Sequence, residues 1–501
     1  MKKNCGKIVG ILMILVLATS FFVGCSSEYY LKKHAKKQNK YSLDLTLNAE
    51  EMTIAGYEKF EYENRGDGGV ESLVFHLYPR AFRDGASIKP YSNLTEAKCF
   101  PNGMSFGDLE VREVKVDGNN HEIKLVGEDE DKLEVGLGKN LFMGDRAVVE
   151  IWFDLKLPNC THRFGYFENN INLGNFYPIL AVRSNGEYDM TPYYANGDPF
   201  FSECASYDVV ITAPSEYKVF SSGNVTNASQ KGDTTKTCMS ALSVRDFAII
   251  LGTNLESKSI EGKNFTVNYV GSVGDGDISA NAELAHLAAK YFSEKFKAYP
   301  YKTLNIVKTP FVHGGMEYPG IVMISDTLTT TEEVRKVIVH EIAHEWWYGI
   351  VGVNETKDAW IDEGLAEFST ALFFDDNSQF GISYNQMIND AITSYTLYVD
   401  VISALDKSMN TKMNLPVNEY LNEYEYTYMI YVKGLLLFDD LMTITGKDKL
   451  IKALAKIAKD YEFKNITTDI FTESIKKGTK KNTDNFFEGY LNGNAIIGKV
   501  H

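Results

Sequence analysis

Histidine is scarce in this sequence, nine among 501 residues, and concentrated positive charge is scarcer still. Acidic residues outnumber basic ones by 67 to 51, a formal charge of −16, and past the first forty positions no basic stripe could track a phosphate backbone. No nucleic acid is expected as a partner. Internal repeats and low-complexity tracts are missing. With 44% hydrophobic and 13% aromatic residues the chain is not disordered, and its length suits two or three domains with substantial cores. After Cys25 only Cys99, Cys160, Cys204 and Cys238 remain. Their spacing matches no zinc ribbon. Outside a cell four cysteines permit three pairings, and spacing does not choose among them, so one or two bridges or buried thiols are expected.

A long apolar run occurs once, in MKKNCGKIVGILMILVLATSFFVGCSS, from Ile8 to about Val23. The lysine-bearing start, the apolar stretch and the small residues ending in Gly24-Cys25 are the layout of a secretory signal. At roughly sixteen residues the run is at the short end for a membrane span, which needs about twenty, though an uncleaved anchor is the alternative. Phe22-Val23-Gly24-Cys25 resembles the lipobox of bacterial lipoproteins, with Phe22 where leucine is usual; Cys25 would be lipidated and become the new N-terminus. Either reading puts the rest of the chain on the outer face of a bacterial membrane, tethered through residues 26–40. Lys32, Lys33, Lys36 and Lys37 in that tether either assist binding to the membrane or are simply solvated.

From Tyr41 to about Thr253 short runs such as YSLDLTL and RAVVEIWFDLKL alternate apolar and polar residues between turn signals such as NRGDGG, the pattern of β-strands. From about Ala280 the period becomes helical. The boundary is expected in the polar NLESKSIEG, giving a signal segment over 1–25, a tether over 26–40, an all-β domain over 41–255 and a second domain over 256–501.

The few histidines are not spread evenly. VIVHEIAHEWW sets His340 and His344 four apart, on one helical face and roughly 6 Å apart along the axis, so both imidazoles can meet one ion. Thr330 and Glu333 form a capping box ahead of this helix, and Val334, Val337, Ile338, Ile342 and Trp346 make it apolar and central. Glu341 can face a water on the ion, which is the HExxH pattern of zinc hydrolases with the glutamate as general base. A third ligand is expected from Glu363, with eighteen residues between it and His344, on a helix whose Ile361, Leu365, Phe368 and Leu372 form an apolar stripe. Unpaired, three such polar side chains would be costly in a buried helix, and a metal removes that cost. Two other residues stay open on residues alone: Glu317 in HGGMEYPG is a turn glutamate or a functional carboxylate, and Tyr431 in MIYVKGLLLF is one of 30 tyrosines.

Together these segments resemble the aminopeptidase N family of zinc metallopeptidases, whose pattern runs GxMEN, HExxH, a glutamate eighteen residues on, then YxKG. Here they read Gly314-Gly315-Met316-Glu317-Tyr318, His340 to His344, Glu363 and Tyr431-Val432-Lys433-Gly434. FHLYPRAF (residues 75–82) and DNFFEGYLNG are also similar to the family. The resemblance implies an α+β multidomain fold, a saddle-like all-β sheet domain followed by a thermolysin-like α/β zinc catalytic domain, without the large helical C-terminal domain of many members. It implies one Zn2+ per chain, held by His340, His344 and Glu363, that acidifies its water. It further implies Glu341 as base, Tyr431 as hydrogen-bond donor to the oxyanion, and Glu317 with the Gly314–Met316 segment as the binder of a peptide's free α-amino group. Two departures concern that last function. Tyr318 stands in place of the usual asparagine, and NFYPILAV in place of the phenylalanine-proline-cysteine segment that follows a substrate-contacting residue. Glu367, one turn beyond Glu363, either orients a histidine ligand or is a surface carboxylate, the second being the plainer expectation.

The expected activity is therefore removal of single N-terminal residues from peptides with a free N-terminus. The alternatives are a zinc endopeptidase with an open cleft, and a catalytically silent membrane-tethered binding protein.

Overall fold

The computed structural model describes residues 28–66, 68–406 and 409–493. Cys25 and the apolar run before it lie outside the described residues, and among the described residues no helix is long and apolar enough to cross a membrane.

The alternating runs do become strands. An eight-stranded sheet is built in the order Asn224–Lys231, Thr234–Val244, Ala205–Pro214, Lys40–Asn48, Thr53–Glu63, Arg146–Lys156, Asp108–Val116, Asn119–His121. Its one parallel pair joins Lys40–Asn48 to Ala205–Pro214. Along Lys40–Asn48, Tyr41, Leu43, Leu45 and Leu47 point inward and the residues between them outward, so one face feeds the core. Two four-stranded sheets and the two-stranded pair Arg183–Ser184 with Glu187–Tyr188 complete this half.

The second half opens with a five-stranded sheet ordered Leu255–Glu261, Thr266–Ser272, Thr303–Thr309, Ile321–Ser325, Gly315–Met316. NLESKSIEG, where the boundary was expected, is largely the edge strand that opens the second domain, and its polarity is that of a strand with one neighbour and a wet side. Helices Ile278–Lys295, Thr331–His344 and Asp362–Asp376 pack beside the sheet and on one another, with Tyr384–Leu405, Lys433–Thr445, Lys447–Asp460, Thr468–Thr479 and Asp484–Leu491 around them. The two halves share one continuous apolar core.

The expected tether departs more from the sequence reading. Residues 28–35 are helical and docked on the second half. Leu31 is buried, Glu28 pairs with Lys302 at 2.7 Å, the Tyr30 hydroxyl donates to Glu462, and the His34 ring meets Phe463. Lys32, Lys33, Lys36 and Lys37 all face solvent. The lysines lie on the outer side of a short amphipathic strap, which is why the stretch reads as polar.

Candidate active site

The helix Thr331–His344 starts where its capping box predicts: the Thr330 hydroxyl accepts from the Glu333 N–H and the Glu333 carboxylate accepts from the Thr330 N–H. Its first turns are exposed or half-buried, while Ile338 to His344 are fully buried, so the motif occupies the end driven into the core. The chain then runs on as a π-helical turn, Glu345–Ile350, with a kink at Trp347, the kind of irregularity that clusters at functional sites.

One turn apart, the imidazoles of His340 and His344 meet the carboxylate of Glu363. The three contact atoms form a nearly equilateral triangle: His340 Nε2 to His344 Nε2 3.1 Å, and each Nε2 to Glu363 Oε2 3.2 Å. Ligands about 2.05 Å from a tetrahedral zinc ion are separated by roughly 3.3 Å, so the triangle has the size of one face of such a coordination shell. Two imidazole nitrogens and a carboxylate oxygen facing one another in a buried site are all acceptors unless protonated, and a divalent cation satisfies them together. The residues therefore fit zinc. Burial works to raise the Glu363 carboxyl, yet the adjacent imidazoles hold it down at about 2. Glu367 Oε1 lies 3.2 Å from His340 Nδ1, off the line of the ring N–H but within ion-pair distance, so it is a neighbour of the ligand rather than a remote surface group.

Glu341 lies under the edge strand Gly315–Met316. A Cβ on Gly315 would come within 2.5 Å of the Glu341 carboxyl carbon, so only glycine leaves the carboxylate its place. Gly314 has more room, with its nearest neighbour, Val337, at 3.6 Å. Met316 is buried, paired in register with Met323. Glu317 follows, 3% exposed, with Oε1 unpartnered. Burial first, then the neighbouring carboxylates of Asp198, Glu341 and Glu363, push the Glu317 carboxyl well up. Burial likewise pushes Glu341 up to about 8, His340 opposing it and Glu363 adding to it.

Tyr431 sits on the turn Tyr428–Val432 ahead of Lys433–Thr445, and its hydroxyl donates to Glu363 Oε1 at 2.5 Å. A glycine pair makes this approach practicable. A Cβ on Gly434 would meet the Gly364 Cα at 2.9 Å, and one on Gly364 would meet Gly434 Cα at 3.2 Å, so the two helices cross almost backbone to backbone. Lys433, also buried, donates to the carbonyls of Thr411 and Tyr490 and fastens this helix to the last one.

One site residue was not foreseen. Asp198, in ANGDPFF of the β half, shares a cluster with Glu317 and Glu363 in which carboxylate oxygens lie within 4.8 Å of one another. Asp198 is half-buried, and its partner is the buried Arg163, 2.7 Å away. The two departures noted in the sequence are joined as well: the Tyr318 hydroxyl donates to Asn175 Oδ1, the first residue of NFYPILAV, at 2.5 Å. Tyr318 is fully buried and supports the junction between the halves instead of lining the cavity.

These groups line one cavity of about 360 Å³, with Asp198 and Arg163 from the β half and Glu317, Glu341, Glu363 and Tyr431 from the helical half. The model of the peptidase family M1 domain matches residues 280–490. Curated relatives include aminopeptidase 2 of Candida albicans, 24% identical over 41% of this chain and 23% of that protein. Others are human endoplasmic reticulum aminopeptidase 2, 24% identical over 40% and 21%, and rat glutamyl aminopeptidase, 23% identical over 55% and 31%. The chain thus spans about a fifth to a third of the length of these relatives. Among solved structures, an M1 zinc metallopeptidase from Deinococcus radiodurans matches with a TM-score of 0.64 at 16% identity, over 92% of this chain and 94% of that one. A two-domain M1 zinc metallopeptidase bound to L-tryptophan matches with a TM-score of 0.63 over 92% and 95%. The M1 match begins after the β half, and the likeness of fold extends across both halves.

Proposed function

We propose that the protein is a zinc-dependent aminopeptidase that removes single residues from the free N-terminus of peptides, with one ion per chain at His340, His344 and Glu363. The observation that carries the reading is the carboxylate pair Glu317 and Asp198 beside the ligand cluster. Glu317 has an unpartnered, buried oxygen and a raised affinity for protons, and Asp198 is paired with Arg163, so together they offer a carboxyl seat whose negative charge an arriving α-ammonium group would favour. Such a seat fixes where the chain begins relative to the metal and leaves one residue on the acyl side of the scissile bond.

Zinc held there would supply Lewis acidity, lowering the pKa of a water and polarising the scissile carbonyl. Glu341 takes the proton from the attacking water and hands it to the leaving amine, a task suited to a carboxylate whose affinity for protons burial has raised. Tyr431, which donates to Glu363 from the cavity wall, is the neutral donor available to the developing oxyanion. The relatives are named aminopeptidases, and the solved structures similar to this chain include one bound to L-arginine and one to a Tyr-Ser-Ala substrate, which favours the same chemistry.

The test is kinetic. Glu317→Gln and Asp198→Asn should each raise KM for free peptides more than they lower kcat, and should narrow the preference for free over N-acetylated peptides. An unchanged preference in both variants would contradict the amine seat. We also place the protein on the outer face of a bacterial membrane, anchored through Cys25, on the strength of the apolar leader and the Val23-Gly24-Cys25 ending. The mass of the mature N-terminus decides it, because an unmodified Cys25 would remove the lipid anchor.

A further inference from the structure

We propose that Cys99 and Cys160 become joined by a disulfide when the chain folds in an oxidising compartment. Cys99 ends the short helix Glu96–Cys99, and Cys160 lies just ahead of the strand Phe164–Phe167. Between them the backbones are already fastened: the Thr161 N–H donates to the Cys99 carbonyl at 2.9 Å and the Thr161 hydroxyl to the Lys98 carbonyl at 2.9 Å. Segments held side by side by such a bond run at the separation a disulfide spans, with Cα atoms about 4.4–6.8 Å apart. Both are free thiols in the structure, buried in the same apolar core, with Cys160 Sγ donating to the Phe164 carbonyl at 3.4 Å. Burial, and after it the adjacent Cys99 thiol, raises the Cys160 thiol well above its ordinary range. A bridge made there is shielded once folding is complete.

The register of the large sheet separates this pair from the other two cysteines. Cys238 is paired with Val210, and Cys204 lies six residues before Val210 on the same chain, roughly 20 Å along an extended strand. Cys204 and Cys238 therefore cannot bridge each other, and one bridge is the complement of these four.

The chemistry is thiol–disulfide exchange with a disulfide-bearing oxidant, such as oxidised glutathione or an export-compartment oxidase. One cysteine thiolate attacks the oxidant's disulfide and displaces a thiolate. The second, deprotonated in turn, attacks the mixed disulfide and releases the other. The protein loses two protons and two electrons, and the oxidant leaves as two thiols.

The bridge would fasten two parts of the cleft wall. Four residues before Cys99, the Thr95 hydroxyl donates to Glu423, which lines the cavity, at 3.3 Å. Three residues after Cys160, Arg163 holds Asp198. Joining residues 99 and 160 ties the segment that carries Thr95 to the one that carries Arg163.

To test this, the full chain is unfolded, refolded in a glutathione redox buffer, alkylated and mapped by mass. The Cys99 and Cys160 peptides should run as one species that reductant separates, with Cys204 and Cys238 alkylated. Alkylated Cys99 and Cys160 as the main products, or a bridge from either to Cys204 or Cys238, would overturn the proposal. Melting of natively purified protein gives a second readout that does not depend on refolding. Reductant should lower the Tm of the wild type by several degrees and leave the Cys99→Ser/Cys160→Ser double variant unmoved, whereas an equal response in both would count against the bridge.

Discussion

Glu341 owes its position to the side chain that Gly315 lacks, and its chemistry to burial among other carboxylates. A cation at the ligand triangle draws its proton affinity back toward the range where a base works near neutral pH. Glu341→Gln keeps the shape and removes the proton acceptor, so hydrolysis should fall about 10²–10⁴-fold with zinc content unchanged, read by turnover and metal analysis of the same sample. Full activity in that variant would rule out the assigned base. At this scale the meeting of the two imidazoles was legible, because an i, i+4 histidine pair has one geometric consequence on a helix and His340 and His344 meet it. Glu367 was readable as one turn from Glu363, but its approach to His340 depends on how two helices cross. Asp198 left no signal. It lies in irregular chain 119 residues before Glu317, counted along the sequence, and what marks it is Arg163, which comes from yet another segment.

Among the elements, the crossing of Asp362–Asp376 with Lys433–Thr445 controls the site. Gly434→Ala puts a methyl against Gly364 and should force the helices apart, costing about 1–3 kcal/mol as overpacking does and moving Tyr431 away from Glu363. The expected result is a lowered Tm together with a fall in kcat larger than the change in KM. The YxKG glycine thus has a packing reason that sequence alone could not supply, since the other half of the contact is in a different helix. Lys433 gives this helix a pH dependence. Burial depresses its amine to about 7, while an unfolded lysine titrates near 10.4. Between these values the unfolded chain holds the proton that the folded one has lost, so this residue's contribution to stability rises with pH from about 7 to 10. Denaturant unfolding of wild type and Lys433→Met should show the difference between them shifting in favour of wild type across that window. A difference that is flat with pH would contradict the depressed amine. The strap over residues 28–35 was misread as a tether because an element polar on its outer side and short on its inner one has too few buried residues to show a period.

For the whole molecule, the change from alternating to helical periodicity marked the two halves correctly, because that change accompanies the move from the β half to the helical half. What no local pattern revealed is that the cavity is shared. Arg163 and Asp198 come from the β half, the ligands and Glu341 from the helical half, and the Tyr318–Asn175 bond fixes one half against the other. Removing the metal should accordingly abolish activity and also lower the Tm, since acceptor atoms 3.1–3.2 Å apart would be left without their cation. The most direct test is the product pattern of the full chain on matched free and N-acetylated peptides, with and without a zinc chelator, read by mass. Stepwise loss of single N-terminal residues from the free peptides alone, stopped by the chelator and restored by zinc, is the predicted result. Internal cuts in both sets, or cutting that survives the chelator, would contradict it.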